Sequence, residues 1–247
     1  MNILMKRIPF VLVVLFFVIS CGRQPDLTKK PIDDIIKNLN DVKDFSIILY
    51  DMNTEGTFFK RYYQQYQIVQ GDSVSGPKEE ITDWYQVSKN YFLANIDNMG
   101  MELAAKKNGK LDKTVSPPGY GSYIGNPSYG HWVNNNGYSF WQFYGQYAFM
   151  SSMFHLMTYP VRMSYWNDYH TNYYGTGRSY YGPTMTGGRY MYGTGSAYNS
   201  GRTSSRWYSN AGNNSFRSRV RGSTSRSTRS SSRFSPSSRS RSSGFGK

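Results

Sequence analysis

The feature that most constrains this chain is an uncharged run of 48 residues, from Thr114 to Val161. Glycine, asparagine and aromatic residues dominate the run, so it lacks the charges that keep a surface segment solvated. Only 38% of the 247 residues are hydrophobic, which is low for a well-packed globule of this length. We therefore expect the run to be covered by protein or lipid, and part of the remaining chain to stay unfolded.

Charge separates the two halves of the chain. Residues 22–115 carry 13 basic and 14 acidic side chains, whereas residues 116–247 carry 14 basic side chains and 1 acidic side chain. The formal net charge of +14 therefore belongs almost entirely to the second half. Such an imbalance favours contact with an anionic surface or polymer.

The first 20 residues have the composition of an export signal. Lys6 and Arg7 supply a positive start, and an uncharged, strongly apolar segment follows from Ile8 to Ser20. The 13 residues of that segment would extend about 20 Å as a helix, which is short of the ~30 Å hydrocarbon core of a bilayer. The sequence therefore predicts a cleaved signal peptide over residues 1–20 rather than a membrane span.

The residues Val18-Ile19-Ser20-Cys21 resemble the lipobox of bacterial lipoproteins, and Cys21 is the single cysteine of the chain. The resemblance implies cleavage before Cys21, a diacylglyceryl group on its sulfur and acylation of the new amine. A lone cysteine fits this chemistry, because a lipidated thiol needs no disulfide partner in an oxidising compartment. Each buried methylene contributes about 0.8 kcal/mol, so two or three acyl chains would hold the protein stably to membrane lipid.

A polar tether at residues 21–30 leads into residues 31–115, which are predicted to form a small α+β domain. Pro31 opens an amphipathic helix, and two antiparallel strands are predicted at Phe45–Asp51 and Thr57–Val69. The apolar face of the helix consists of residues at helical spacing, namely Ile32, Ile35, Ile36, Leu39 and Val42.

Two later segments complete the predicted domain. Asp83–Asn98 fits both a helix and a strand, and we favour additional sheet there. Asn108-Gly109 supplies the positive φ angles of a type I′ turn, so Met101–Lys107 and Lys110–Val115 are predicted to form a hairpin. The expected fold class is therefore α+β, with one helix against a meander of about four antiparallel strands.

Residues 116–170 form an uncharged, aromatic and glycine-rich region, in which a helix apolar on nearly every side is predicted at about 138–158. Trp141, Tyr144 and Phe154 are its candidate contacts with a membrane or a partner. Four placements are open: packing on the α+β domain, shallow insertion at the bilayer surface, a full membrane span, and docking on an integral membrane protein.

Residues 171–247 repeat tyrosine and glycine and then become rich in arginine and serine, without a periodic apolar pattern. Such a composition buries too little apolar area to offset ordering entropy, so a disordered tail is predicted. Its guanidinium groups would attract polyanions in a salt-dependent way. The arginines assigned to this contact are Arg202, Arg206, Arg217, Arg219, Arg221, Arg226, Arg229, Arg233, Arg239 and Arg241.

No pattern in the sequence indicates a catalytic site, a cofactor or a metal ion. The three histidines, His131, His155 and His170, show neither the H-x-x-x-H nor the C-x-x-C spacing typical of metal ligands. A G-x-S-x-G nucleophile elbow does not occur, and the glycines of residues 119–125 lack the order of a phosphate-binding loop. The prediction is a non-enzymatic protein.

The stretches PPGYGSYIGNPSYGHW and FWQFYGQYAFMSSMF, with the Tyr/Gly/Arg/Ser-rich end, resemble a group of uncharacterised bacterial envelope lipoproteins. The resemblance spans residues 80–220 and implies the cell envelope as compartment, but no activity. We expect a lipid-anchored envelope protein of structural or binding type, whose basic tail contacts anionic envelope polymers or lipid headgroups rather than nucleic acid. Two alternatives are an accessory subunit that docks on an integral membrane protein through residues 138–161, and an enzyme or inhibitor with an unrecognised site.

Overall fold

The computed structural model describes residues 27–28, 30–71, 78–154, 160–210 and 212–218. These residues form helices and antiparallel sheets, which confirms the predicted α+β class. The predicted signal peptide and Cys21 lie outside the described residues. The end of the predicted tether is part of the fold, because the backbone N–H of Thr28 donates to the carbonyl oxygen of Gln86 at 2.9 Å.

The elements have the following bounds. The strands are β1 (Asp44–Glu55), β2 (Arg61–Gly71), β3 (Lys78–Ile81), β4 (Tyr85–Val87), β5 (Glu102–Lys107), β6 (Lys110–Asp112), β7 (Gly130–Asn135), β8 (Tyr138–Phe143), β9 (Thr184–Met185) and β10 (Arg189–Tyr190). The helices are α1 (Pro31–Asn38), α2 (Lys89–Ala94), α3 (Phe149–Met153), α4 (Met163–Asn172), α5 (Ala197–Ser200) and α6 (Arg206–Ser209), and residues 212–218 form a final helical segment, α7.

In the described part of the chain, six strands form one antiparallel sheet in the order β3-β2-β1-β5-β6, with β4 also paired to β2. The long central pair runs from Asp44 opposite Gly71 to Glu55 opposite Arg61, which confirms the two predicted strands. The turn between them lies later than predicted, at residues 56–60, because β1 continues through the polar residues that precede Glu55.

Local signals explain the smaller elements. Asn108 and Gly109 have φ angles of 50° and 80°, as the type I′ turn requires, and they join β5 to β6 as predicted. The ambiguous segment Asp83–Asn98 contains both alternatives, since β4 is followed directly by α2. Ser88 ends the strand part and caps α2, because its side chain accepts a hydrogen bond from the backbone N–H of Tyr91.

The two faces of the sheet belong to two hydrophobic cores. On one face, Phe45, Ile47 and Leu49 of β1 pack with α1, α2 and two residues from the far end of the chain, Trp207 and Phe216. On the opposite face, buried residues between positions 120 and 180 cover the sheet. Successive side chains of β1 point to opposite faces of the sheet, so this one strand contributes residues to both cores.

The helix predicted for about 138–158 is wrong over residues 138–143, which form strand β8. This strand pairs with β7 in continuous register, with Trp132 opposite Trp141, across a turn in which Asn136 and Gly137 have positive φ angles. Aromatic residues occupy successive positions there, so helical and strand periodicity could not be told apart by composition. The segment then continues as a 3-10 turn, Gly145–Tyr147, and the short helix α3, and residues 155–158 lie outside the described residues.

The disordered tail predicted for residues 171–247 is wrong over 171–210 and 212–218. These residues form turns, short strands and helices, and their buried aromatic residues join the two cores of the six-stranded sheet, which we call the body. Trp207 is 1% exposed and Phe216 is also buried. Widely spaced aromatic residues offset the ordering entropy here because the sheet provides the rest of their core, which no local pattern reveals. Residues 219–247 lie outside the described residues.

Within the parts of the chain that the structure describes, no helix has both the length and the apolar composition needed to cross a membrane.

Candidate binding site

The membrane contacts predicted from sequence are mostly inside the protein. Trp141 and Phe154 are buried, and the ring of Phe154 packs against Tyr123 and Phe143 in the core behind the sheet. Tyr144 alone of the three predicted residues is exposed, where it stacks on His131. The described residues of the aromatic segment therefore pack on the α+β sheet, which is one of the placements that the sequence left open.

The described arginines assigned to polyanion contact all lie against aromatic rings, and two of them, Arg202 and Arg206, fasten the C-terminal segment to earlier parts of the chain. Arg202 donates to the carbonyl oxygen of Tyr50 at 2.8 Å and lies over the Tyr50 ring. The guanidinium of Arg206 lies 5.1 Å from the ring centre of Trp84. Arg217 lies over the ring of Tyr208. The other predicted arginines, from Arg219 to Arg241, lie outside the described residues.

The described histidines occupy aromatic surroundings rather than a metal site. His170 stacks on Tyr174 and contacts Trp166, and burial lowers its pKa from 6.5 to about 4. His131 is exposed, and His155 lies outside the described residues. Among the residues with described positions, no group of three or more histidine, cysteine or acidic side chains could hold a metal ion.

A buried carboxylate, which the sequence did not single out, joins the sheet to the loop that follows it. Glu102 on β5 accepts hydrogen bonds from the hydroxyls of Ser46 and Ser116 and from the backbone N–H groups of Gly119 and Gly121. Burial raises its pKa from 4.5 to about 7, and these four donors oppose the rise because they favour the charged form. Since Glu102 is closed to solvent, it positions the loop and meets no substrate.

A cleft of about 480 Å³ is open to solvent on the side of the hairpin formed by β9 and β10. The rings of Tyr181 and Tyr190 in its wall are 5.6 Å apart, centre to centre. The Tyr181 hydroxyl donates to the side-chain oxygen of Asn98 at 2.7 Å, which fixes its ring, whereas Tyr190 is 54% exposed. One ring is thus held by the body and the other is available to a ligand.

Charged groups lie beside these rings. Arg189, Arg217 and Asp97 line the cleft, and Arg189 forms no salt bridge with any residue in the described segments. Asp97 is held in place through its backbone, because its carbonyl oxygen accepts from the N–H of Thr194 at 2.9 Å. The cleft is therefore lined by two arginines and one aspartate beside a pair of phenol rings, and the guanidinium group of Arg217 also lies over Tyr208.

This arrangement suits a sugar that carries negative charge. The apolar faces of tyrosine rings pack against C–H groups, the carboxylate accepts hydrogen bonds from hydroxyl groups, and guanidinium groups bind carboxylate or phosphate oxygens. Reasoning from the sequence missed the cleft, because Tyr181, Arg189 and Tyr190 stand in a stretch whose glycines and tyrosines indicated disorder. The nearest local signal is the Gly187-Gly188 turn, whose positive φ angles close the β9–β10 hairpin.

No protein-family model, curated protein or solved structure matches this chain.

Proposed function

We propose that this protein is a lipid-anchored, non-enzymatic protein of the bacterial cell envelope that binds an anionic saccharide polymer. The single observation that carries the binding role is the cleft in which Tyr181 and Tyr190 lie next to Arg189. The anchor rests on the lipobox that ends at Cys21. In this role the acyl chains keep the cleft at the membrane, where envelope polymers are concentrated.

The arginine-rich composition of residues 219–247 supports a polymeric ligand. Arg217 lines the cleft, and seven further arginines follow between residues 219 and 247. These positive charges attract a polyanion whatever their arrangement, and each neutralised charge adds affinity that decreases with salt. The contact would thus combine recognition in the cleft with less specific attraction along the basic chain.

The chemistry of the cleft supports binding rather than catalysis. Asp97 is the one carboxylate among the cleft-lining residues that the structure describes, and no histidine lies with it. General acid–base catalysis on a glycosidic bond uses two carboxyl groups on opposite sides of that bond. Asp97 alone provides a hydrogen-bond acceptor for hydroxyl groups.

Affinity measurements with a defined polymer test the cleft. We expect the full chain to bind polygalacturonate, an anionic polysaccharide, more tightly than uncharged dextran. Tyr190→Ala should weaken polygalacturonate binding roughly ten-fold, since an aromatic contact and its buried area together contribute on the order of 1 kcal/mol or more.

Tyr138→Ala is a matched control, because Tyr138 is also 54% exposed but lies on β8. Equal affinities of the Tyr190→Ala and Tyr138→Ala proteins would contradict the proposed cleft. Mass spectrometry of the mature N-terminal peptide tests the anchor separately, and an unmodified sulfur at Cys21 in the native host would contradict it.

A further inference from the structure

The turn between β1 and β2 exposes two adjacent phenylalanines. Phe58 is 94% exposed and Phe59 is 92% exposed, more than any other large hydrophobic residue in the described chain. Scattered exposed apolar residues are ordinary in soluble proteins, but two neighbouring rings that are almost fully exposed form a patch that water solvates poorly. Such a patch at a hairpin tip indicates a binding surface.

The backbone holds these rings beyond the end of the sheet. Glu55 and Arg61 form the last pair of the β1–β2 ladder, and their side chains form a salt bridge of 3.6 Å at the base of the turn. Gly56 has a φ angle of 87°, and a Cβ at this position would lie 2.2 Å from the carbonyl oxygen of Phe59. The turn is therefore tight, and it presents Phe58 and Phe59 away from the core.

Basic side chains surround the apolar tip. A second cleft, separate from the one beside β9 and β10, lies below this turn. Lys60, Arg61 and Lys89 line it together with Phe58. An apolar tip with a cationic rim is complementary to a bilayer, which offers acyl chains inside and phosphate groups at its surface. A purely apolar protein partner would leave Lys60 and Lys89 without counter-charges, whereas Arg61 already has Glu55 beside it.

The first residues that the structure describes lie at the same place. Leu27 lines the cleft with Phe58, and the neighbouring Thr28 forms a parallel bridge with Val87. Six peptide steps separate Cys21 from Leu27, and at 3.3–3.6 Å for each step they span at most about 20 Å. A lipid on Cys21 would therefore keep this cleft within about 20 Å of the membrane surface.

We propose that Phe58 and Phe59 insert into the surface layer of a lipid bilayer, with Lys60, Arg61 and Lys89 against anionic headgroups. The bilayer in question is the one that the proposed lipid anchor supplies, so in this respect the inference rests on the proposed function. The contact gives the protein a second point of attachment, and two attachment points fix the orientation of the body on the membrane. This site lies outside the aromatic segment, for which membrane contact was one of the placements that the sequence left open.

A fluorescent label reports the depth of the hairpin tip. The full chain carrying Phe58→Cys is labelled with a nitrobenzoxadiazole dye and reconstituted into vesicles of phosphatidylethanolamine and phosphatidylglycerol. We expect the emission to shift to the blue, and to be quenched when the vesicles contain lipids with a nitroxide on the acyl chain. The parent chain, labelled in parallel, measures any contribution from Cys21.

Leu111→Cys provides the matched control. Leu111 is partly exposed on β6 and pairs with Lys106, which in turn pairs with Phe45. Phe45 lies ten residues from Glu55 along β1, so the control position is about 33 Å from the hairpin tip. The label at position 111 should show neither the shift nor the quenching.

The other outcomes overturn the proposal. A label at position 58 that is no better quenched than the label at 111 would exclude insertion. A blue shift without quenching by lipid-borne nitroxide would mean that the tip contacts protein, a second copy included, and would also overturn it. Mass spectrometry of Cys21 in the same sample separates the two ideas, because quenching at position 58 with an unmodified Cys21 contradicts the anchor and keeps the hairpin contact.

Discussion

The carboxylate of Asp51, on the central strand β1, accepts a hydrogen bond of 2.6 Å from the hydroxyl of Ser205, which lies 154 positions later in the chain. The backbone N–H of Arg206 donates to the same carboxylate at 2.7 Å, so Asp51 also caps the start of α6. A buried residue of the sheet thus holds the arginine- and serine-rich segment in place.

Replacing this carboxylate should destabilise the whole fold. Asp51→Ala leaves the buried Ser205 hydroxyl and the Arg206 N–H without an acceptor, so we expect the free energy of unfolding to fall by about 2–4 kcal/mol. Urea denaturation measures the change. Asp41→Ala, at an exposed position, should alter it by less than about 0.5 kcal/mol, and similar effects of the two substitutions would contradict the contact.

Trp207→Ala tests whether the C-terminal segment completes the core. The Trp207 ring packs against Phe92 of α2 at 5.7 Å and against Phe216 at 6.4 Å, centre to centre. Removing so large a buried ring typically costs about 3–5 kcal/mol, so the thermal midpoint should decrease strongly. Tyr190→Ala, at an exposed ring, serves as the comparison, and an unchanged midpoint for Trp207→Ala would show that this segment is not part of the cooperative fold.

Alanine substitutions at two glycines distinguish the cost of backbone strain from the cost of a steric clash. Gly125 has a φ angle of 75°, and a Cβ there would lie 2.2 Å from a ring carbon of Trp166. Gly137 has a φ angle of 81° with nothing within 4 Å. Gly137→Ala should cost about 1–2 kcal/mol of stability through the left-handed backbone alone.

Gly125→Ala should cost about 1–3 kcal/mol more, because the Trp166 ring must move. That ring is also held by a hydrogen bond of 3.0 Å from its N–H to the carbonyl oxygen of Ile124. Calorimetry of both variants gives the comparison, and equal losses would mean that Trp166 adapts without strain.

Glu102 should make the protein less stable as pH rises. Its pKa is about 7 in the folded state and 4.5 in the unfolded chain, so between these values the folded state binds the proton more tightly. The stabilisation is complete below pH 4.5 and is lost as pH rises through about 7, a change of about 3 kcal/mol. The free energy of unfolding of the Glu102→Gln protein, measured by denaturation across this pH range, should not show this decrease. If the parent protein and the variant had the same pH profile, the prediction would be contradicted.

His170 should act in the opposite direction. Its pKa is lowered from 6.5 to about 4 by burial, so the unfolded chain binds the proton more tightly. Its contribution is present above pH 6.5 and is lost as pH falls towards 4. Between about pH 4.5 and 6.5 the two groups change the free energy of unfolding in opposite directions as pH rises. His170→Asn removes the increase, so the decrease in stability caused by Glu102 should become steeper. A profile unchanged by the substitution would show that His170 is not buried in its neutral form.

The sequence predicted those elements whose signals are local. The spacing of the apolar residues after Pro31 and the dipeptide Asn108-Gly109 depend on neighbours within a few residues, and both gave the correct element. Trp207 offers no such pattern, because apart from Phe216 the core residues around it, Phe92 and those of β1, lie more than 100 positions away. Its burial could be recognised only from the three-dimensional structure, in which Trp207 packs in the core on one face of the sheet.

The candidate site depended even more on distant residues. Tyr181 owes its fixed position to Asn98, 83 residues earlier, and composition alone placed its segment in a flexible tail. The exposure of Phe58 and Phe59 could not be predicted either, because aromatic residues in a strand-forming stretch are usually buried. Their exposure follows from where β1 ends, which is set by pairing with β2.

The position of the two covering layers also governs when the protein can fold. A ribosome completes β1 to β6 long before the segments that contain Phe154 and Trp207, so an emerging chain has two wet apolar sheet surfaces. Contacts that span 150 residues close large loops, and large loops slow folding. Both faces of the sheet need residues from the later part of the chain, so the fold is complete only after the segment that contains Phe216 has been synthesised.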